Sequence, residues 1–261
     1  INSWEACYFS FDENKLAEIG DCAAKLGVEL LVVDDGWFGR RDGDTSSLGD
    51  WKVDRNKLPN GIEGLYKRLE KSGCKLGMWF EPEMISPESE LYDKHPDWCV
   101  HVEGRPRSLA RTQLVLDLSR KDVCDFVYDS VANILKTGMV SYIKWDYNRN
   151  ICEASSSALP AENAKEFLHR YYLGLYSVLD RLTKEFPDVL FENCSGGGGR
   201  FDCGMLAYMP QTWTSDDSDA VERLKIQYGT SIIYPLSTIV GHVSACPNHQ
   251  TKHVTSFESR L

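Results

Sequence analysis

The stretch YIKWDYNRN, Tyr142 to Asn150, ends an apolar run in Lys144, Asp146 and Asn148. A turn needs only Gly, Asn, Asp or Pro, so a cation, an acid and an amide at alternating positions are more chemistry than a turn requires. Alternate residues of a strand project to one face. Lys144 and Asp146 therefore point into the same space, with Lys144 one layer deeper. A cation beside a carboxylate favours its ionised form, which suits a nucleophile or an ion stabiliser rather than a proton donor. A second group of acids stands in TWTSDDSDA, Thr212 to Ala220, where Asp216, Asp217 and Asp219 crowd a loop that opens a helix. Crowded like charges raise at least one pKa, as a general acid requires. Capping accounts for one of the three, assigned to Asp217 or Asp219.

Further acids follow other apolar runs: Asp34 and Asp35, Glu81 and Glu83, Asp117, and Glu192. Two chemistries use a ring of carboxylates. One holds a hard metal cation with oxygen ligands. The other is glycoside hydrolysis, in which one carboxylate attacks or activates water and another protonates the leaving oxygen. Trp4, Trp37, Trp79, Trp145 and Trp213 lie on or beside the same run ends. Indoles pack on the C–H face of a sugar and carboxylates accept from its hydroxyls, so this composition favours a sugar site over simple core capping.

The elements that must position these residues alternate. Eight apolar or β-branched runs read as strands: 4–10, 29–33, 75–80, 113–116, 140–145, 188–191, 209–214 and 241–245. Between most of them lie helical stripes, such as Leu16, Ile19, Ala23 and Leu26, or Phe167, Tyr171, Leu175, Val178 and Leu182. Gly27, Gly73 and Gly138 stand where helices should stop. Ser119 with Asp122 has capping-box spacing, and Val221, Leu224 and Tyr228 suggest a late helix. Strand–helix alternation predicts an α/β fold with a parallel sheet. Eight repeats in one 261-residue domain predict a closed (β/α)8 barrel spanning residues 1–261, cut in its last helix. Barrel closure would gather the scattered acids on one face.

A net charge of −10 argues against nucleic acid or an anionic membrane as partner, and no apolar run is long enough for a membrane span. The nine cysteines are odd in number and contain no CxxC, which reads as reduced, mostly buried thiols in a cytoplasmic protein. NCSGGGGR, 193–200, fits neither phosphate-loop nor dinucleotide patterns. Its glycines would let backbone approach a ligand closely. Cys194 with Cys203 and His249 with His253 lack zinc context. DGDTSSLGDW, 42–51, lacks a calcium-loop glycine and reads as a solvated loop. No metal and no cofactor are expected.

With these motifs in hand, the chain resembles the catalytic barrel of the larger bacterial and fungal α-galactosidases, glycoside hydrolase family 36. The resemblance rests on NSWEA, VVDDGWFG, GDWKVDRNKLPNGI, LGMWFEPEM, LVLDLSR, YIKWDYNR, FENCSGGGGRFD, QTWTSDDSDA and HVSACPNHQT, in order along nearly the whole chain. It implies a retaining double displacement on terminal α-galactosyl groups of raffinose- or melibiose-type sugars. Asp146 is then the nucleophile and Asp216 the acid/base. Asp34 and Asp35 grip the 4- and 6-hydroxyls, and Trp4 and Trp79 form aromatic walls. Arg111, Lys144, Asn148, Cys194 and Gly197 supply further sugar contacts. The family's flanking N-terminal β-sandwich and C-terminal β-domain do not lie within these residues, and the family implies a homo-oligomer for the full-length protein. Competing expectations are a raffinose-synthase-like galactosyl transferase, an α-N-acetylgalactosaminidase, a non-catalytic sugar-binding barrel and a metal-dependent lyase or isomerase.

Overall fold

The computed structural model describes residues 1–261. Its elements, in chain order, are α1 (Trp4–Cys7), α2 (Glu13–Lys25), β1 (Leu30–Val33), α3 (Gly61–Lys71), β2 (Lys75–Phe80), β3 (Met84–Ile85), α4 (Glu90–Lys94) and β4 (Leu114–Val115). They continue with α5 (Lys121–Leu135), β5 (Val140–Trp145), α6 (Phe167–Glu185), β6 (Leu190–Asn193), α7 (Cys203–Leu206), β7 (Gln211–Thr212) and α8 (Ala220–Ser231). Five strands form one parallel sheet in the order β1-β2-β5-β6-β7. Single parallel bridges extend it at both ends, Asn2 to Val32 and Thr212 to Ile239. β1 and β2 are buried almost throughout, as expected for parallel strands covered on both faces.

Three expected strands are corrected. Residues 4–7 fold as α1 and 8–10 form no strand, and Asn2 alone takes the place beside β1. Residues 241–245 form no strand; Ile239 holds the position beside β7. The run at 113–116 leaves the sheet: β4 pairs antiparallel with β3, while β2 pairs directly with β5. These misreadings share a cause. An apolar run is what any buried segment requires, and periodicity cannot say which neighbour it will pair with.

The helices lie close to the expected stripes. Asp12 caps α2 by accepting from Lys15 N at 2.8 Å. Gly27, Gly73 and Gly138 take positive φ just past α2, α3 and α5, the conformation that costs glycine no Cβ clash. The Ser119–Asp122 capping box does not form: Arg120 is the cap residue and its side chain accepts nothing from the helix, while Ser119 donates to Asp117. Val221, Leu224 and Tyr228 do lie on a helix, α8, but are exposed rather than packed inward. The 42–51 segment is not simply solvated. Leu48 is fully buried, and Asp50 accepts from Glu90 N and Leu91 N at 2.9 and 3.0 Å, tying the segment to α4.

The core contains Leu31, Val33, Trp37, Phe80, Ile143, Trp145, Tyr171 and Phe191, each essentially inaccessible. All nine cysteines are free, five buried and four exposed. No helix is long and apolar enough to cross a membrane.

Candidate active site

The expected residues separate into three groups: those gathered at the C-terminal ends of the strands, those held in structural pairs, and those in the core. Asp146 follows β5 and accepts four N–H groups. Trp79 Nε1 and Asn148 Nδ2 reach Oδ2 at 3.2 and 2.6 Å, and Tyr147 N and Gly196 N reach Oδ1 at 2.9 and 3.4 Å. The donors come from β2, from the residues just after β5 and from the loop after β6, so the carboxylate orientation is fixed by three parts of the sheet. The contacts at 3.2 and 3.4 Å are long for N–H···O bonds and leave each oxygen one weakly held lone pair.

Lys144 is where its spacing puts it, one layer below Asp146, but its partner differs from the expectation. Its Nζ pairs with Asp34 Oδ2 at 2.9 Å, so the direct ion pair belongs to Asp34. Burial works against the Lys144 charge, but Asp34, followed by Cys194, Glu192 and Asp146, holds its pKa well above the usual lysine value. Asp34 also accepts from Asn2 Nδ2 at 2.7 Å and from Asp35 N at 2.9 Å. Asp35 is gripped bidentately by Arg41, with Nε and Nη2 at 2.9 and 2.8 Å. Burial nonetheless raises the Asp35 carboxyl, with Asp34 and Asp146 adding to the rise against Arg41.

Glu81, at the end of β2, is buried beside Asp146. Its Oε1 accepts from Gln113 Nε2 at 2.8 Å and from Asn148 N at 2.6 Å. Burial, followed by the charge of Asp146, pushes its carboxyl up to about 8. Asn148 therefore links two acids, receiving its backbone position from Glu81 and donating its side chain to Asp146.

Asp216 stands on the loop after β7. Trp213 Nε1 donates to its Oδ1 at 3.0 Å. The carboxylate opens to solvent on one side, yet the protein around it and the charge of Asp146 raise its pKa, against Lys144, Trp213 and Arg111. The causes differ from the expectation, since neighbouring Asp217 and Asp219 are not what lifts it. Asp219 is the helix cap, accepting from Val221 N and Glu222 N. Cys194 is buried, and burial followed by Asp146 drives its thiol well above the usual range, with Asp216 a further cause. Gly197 has φ +90°, and a Cβ there would meet Ser215 Cα at 2.6 Å and Asp216 N at 3.0 Å. The glycine run thus admits the neighbouring loop, which the sequence reading assigned to a ligand.

Trp4 packs edge-on against Tyr8 and Phe9 and remains partly open. Arg111 is exposed, with φ 51°, on the loop before β4. Other ring members lie elsewhere. Glu83 is bound by Arg200, Tyr171 and Trp145 Nε1 in a buried structural pair. Asp117 serves Ser119 and Ser156. Trp37 and Trp145 are core residues with no exposed surface. Arg41, Gln113 and Trp213 touch the site's acids; the sequence named Trp213 only among its strand-end tryptophans and gave no sign of Arg41 or Gln113. Trp213 had a signal in its place three residues before Asp216.

The whole chain, residues 1–261, matches the melibiase family model. The chain belongs to the melibiase family. Family members similar to it include α-galactosidase AgaA of Geobacillus stearothermophilus, 60% identical over 260 residues, with 100% of this chain and 36% of that protein covered. α-Galactosidase Mel36A of Lactobacillus acidophilus is 53% identical with the same coverage. The crystal structure of the GH36 α-galactosidase AgaA superposes with a TM-score of 0.97, covering 99% of this chain and 36% of that one. AgaA variants have been solved in complex with raffinose and with stachyose. The chain thus spans about a third of the length of these melibiase-family relatives.

Proposed function

We propose that this chain is the catalytic barrel of a retaining exo-α-galactosidase that removes terminal α-galactosyl groups from oligosaccharides such as raffinose and melibiose. The observation that carries the reading is the pairing of Asp146, oriented by four N–H donors, with Asp216, whose carboxyl pKa is raised by burial and then by the charge of Asp146. In the first displacement an Asp146 oxygen bonds to the anomeric carbon. The glycosidic C–O bond breaks and Asp216 gives its proton to the leaving oxygen. Esterification removes the Asp146 charge and so removes one cause of the raised Asp216 pKa. Asp216 is then shifted toward the base that the second displacement needs. It takes a proton from water, the water oxygen bonds to the anomeric carbon, and Asp146 is released.

The family and the galactosidase relatives support this assignment. In AgaA, the aspartates replaced in the raffinose and stachyose complexes are separated by the same number of positions as Asp216 and Asp146 here. Asp34 and Asp35 are proposed to meet the 4- and 6-hydroxyls, presented by Lys144 and Arg41, with Trp4 and Trp79 as walls and Arg111, Asn148, Cys194 and Gly197 nearby. We read the sheet as part of a closed barrel, an arrangement supported by the hydrogen bond from Ala245 N to Glu5, which joins the two ends of the chain.

The test is hydrolysis of aryl α-galactoside, α-N-acetylgalactosaminide and α-glucoside by the full-length protein, with the first-formed anomer read by NMR. Selective release of α-galactose is expected. β-Galactose as first product would refute retention, and preference for the N-acetylated sugar would reassign the substrate.

A further inference from the structure

Glu5 follows the aromatic wall residue Trp4 and touches neither Asp146 nor Asp216. Its carboxylate nevertheless gathers three distant segments. Oε1 accepts from Ser218 Oγ and lies 3.1 Å from His249 Nδ1. Oε2 accepts from Ala245 N at 3.0 Å and lies 3.5 Å from His242 Nε2. Two donors bond the carboxylate, and two imidazole nitrogens stand within ion-pair distance of it. Burial opposes the charge, but the neighbouring His242 and the bonds from Ser218 and Ala245 outweigh it and bring Glu5 down to about 2.

These contacts bracket the acid/base loop. Ser218 lies two residues past Asp216 and is buried, with Asn248 Nδ2 donating to its Oγ at 3.2 Å. On the other side, the His242 ring meets Trp213 edge-on, with centroids 4.9 Å apart at 81°. Trp213 donates to Asp216. Arg223 covers the Trp213 ring at 4.2 Å and donates to Ser215 O at 2.8 Å. The charged groups around the loop are Glu5, Asp217, Arg223, Arg111 and, from the sheet side, Lys144 and Asp146.

We propose that Glu5 is a positioning residue for proton transfer. It holds Asp216 at the leaving-group oxygen through Ser218 on one side and through His242 and Trp213 on the other. The proposal rests on the reading of Asp216 as acid/base. Its signature differs from that of a merely structural residue. Loss of alignment at Asp216 weakens protonation of the leaving group and leaves attack by Asp146 intact. The damage therefore grows as the leaving group becomes more basic.

The experiment measures kcat/KM for a series of aryl α-galactosides, from dinitrophenyl to phenyl, with wild type, Glu5→Ala, Glu5→Gln and Asp216→Asn in the full-length protein. Misplacement by about 1 Å can cost on the order of 10²-fold, and general acid catalysis supplies roughly 10²–10⁴-fold. Glu5→Ala is expected to lose on the order of tenfold or more on the phenyl galactoside and under about threefold on the dinitrophenyl one, parallel to but shallower than Asp216→Asn. Glu5→Gln, which keeps an acceptor oxygen, should fall between Glu5→Ala and wild type. If Glu5→Ala does not fold, Glu5→Gln and His242→Gln carry the same leaving-group expectation. A uniform loss, or none, in the Glu5 variants while Asp216→Asn is selective overturns the Glu5 proposal alone. A uniform loss in Asp216→Asn overturns the acid/base reading and the Glu5 proposal with it.

Discussion

Asp146 directly follows a six-residue strand with parallel neighbours on both sides, whereas Asp216 follows a two-residue strand and sits on a loop. The first acid is placed by the sheet. Its donors come from β2, from its own chain and from the loop after β6, and backbone N–H groups supply two of its four bonds. The second is placed by side chains from distant parts of the sequence, with Trp213 at its carboxylate and Glu5 behind that. A nucleophile must approach along a fixed line. A proton donor must only keep a short distance to one oxygen while changing protonation twice. Rigid placement suits the first task, and a clamped loop open to solvent suits the second.

The largest break in this comparison is at the sheet side. Asp146→Asn removes the attacking oxygen and should lower kcat on aryl α-galactosides by on the order of 10⁴-fold or more. Galactose binding, read by calorimetry, should remain measurable. Retained turnover would take Asp146 out of the nucleophile role.

A smaller effect is expected where the two regions meet. Gly197→Ala places a Cβ against Ser215 and Asp216 backbone at a φ of +90°, a conformation that costs a residue with a side chain about 1–3 kcal/mol. The loop carrying Asp216 must shift, so the phenyl galactoside should lose roughly tenfold, with the dinitrophenyl galactoside nearly spared. A loss concentrated on the dinitrophenyl substrate would mean that the nucleophile side moves instead.

The smallest effect on activity, and a clear one on stability, is expected at Glu81. The folded chain holds the Glu81 proton up to about pH 8, while an unfolded glutamate releases it near its ordinary value of about 4.3. The folded state therefore binds more protons across this window, and stability falls as pH rises through it. Glu81→Gln removes that loss and keeps an oxygen for Asn148 N and Gln113. Its melting temperature should match wild type near pH 4 and exceed it increasingly toward pH 8, with kcat near neutral pH within about threefold, since a neutral side chain already serves there. A constant melting-temperature difference across the window would show that Glu81 ionises normally.

The same contrast explains what the sequence made legible. Lys144, Asp146 and Asn148 were readable because strand alternation fixes direction, and the parallel α/β class followed from strand–helix alternation. The misplaced strand at 113–116, which pairs with β3 instead of joining the parallel sheet, and the unexpected partner of Lys144 share a cause. Spacing fixes where a side chain points along its own strand, while pairing depends on which strand packs alongside, and β2 next to β5 brings Asp34 to Lys144. The Asp216 side was legible as an acid cluster but not in its supports. Glu5 meets Ser218 and Ala245 from the far end of the chain, and Arg41 reaches Asp35 through a loop. No local period encodes such contacts. Trp37 was overread as part of a sugar site because a tryptophan at a strand end looks the same whether it faces a pocket or a helix layer, whereas strand alternation turns Trp145 away from Lys144 and Asp146 and into the core.

The most direct measurement is to trap the intermediate. The full-length protein is incubated with an activated 2-deoxy-2-fluoro-α-galactosyl donor, digested, and the labelled peptide located by mass spectrometry. A single galactosyl ester on Asp146 is the expected result. An ester on Glu81, Asp34 or Asp216, or complete turnover without any trapped ester, would contradict the assignment of Asp146 as the attacking group.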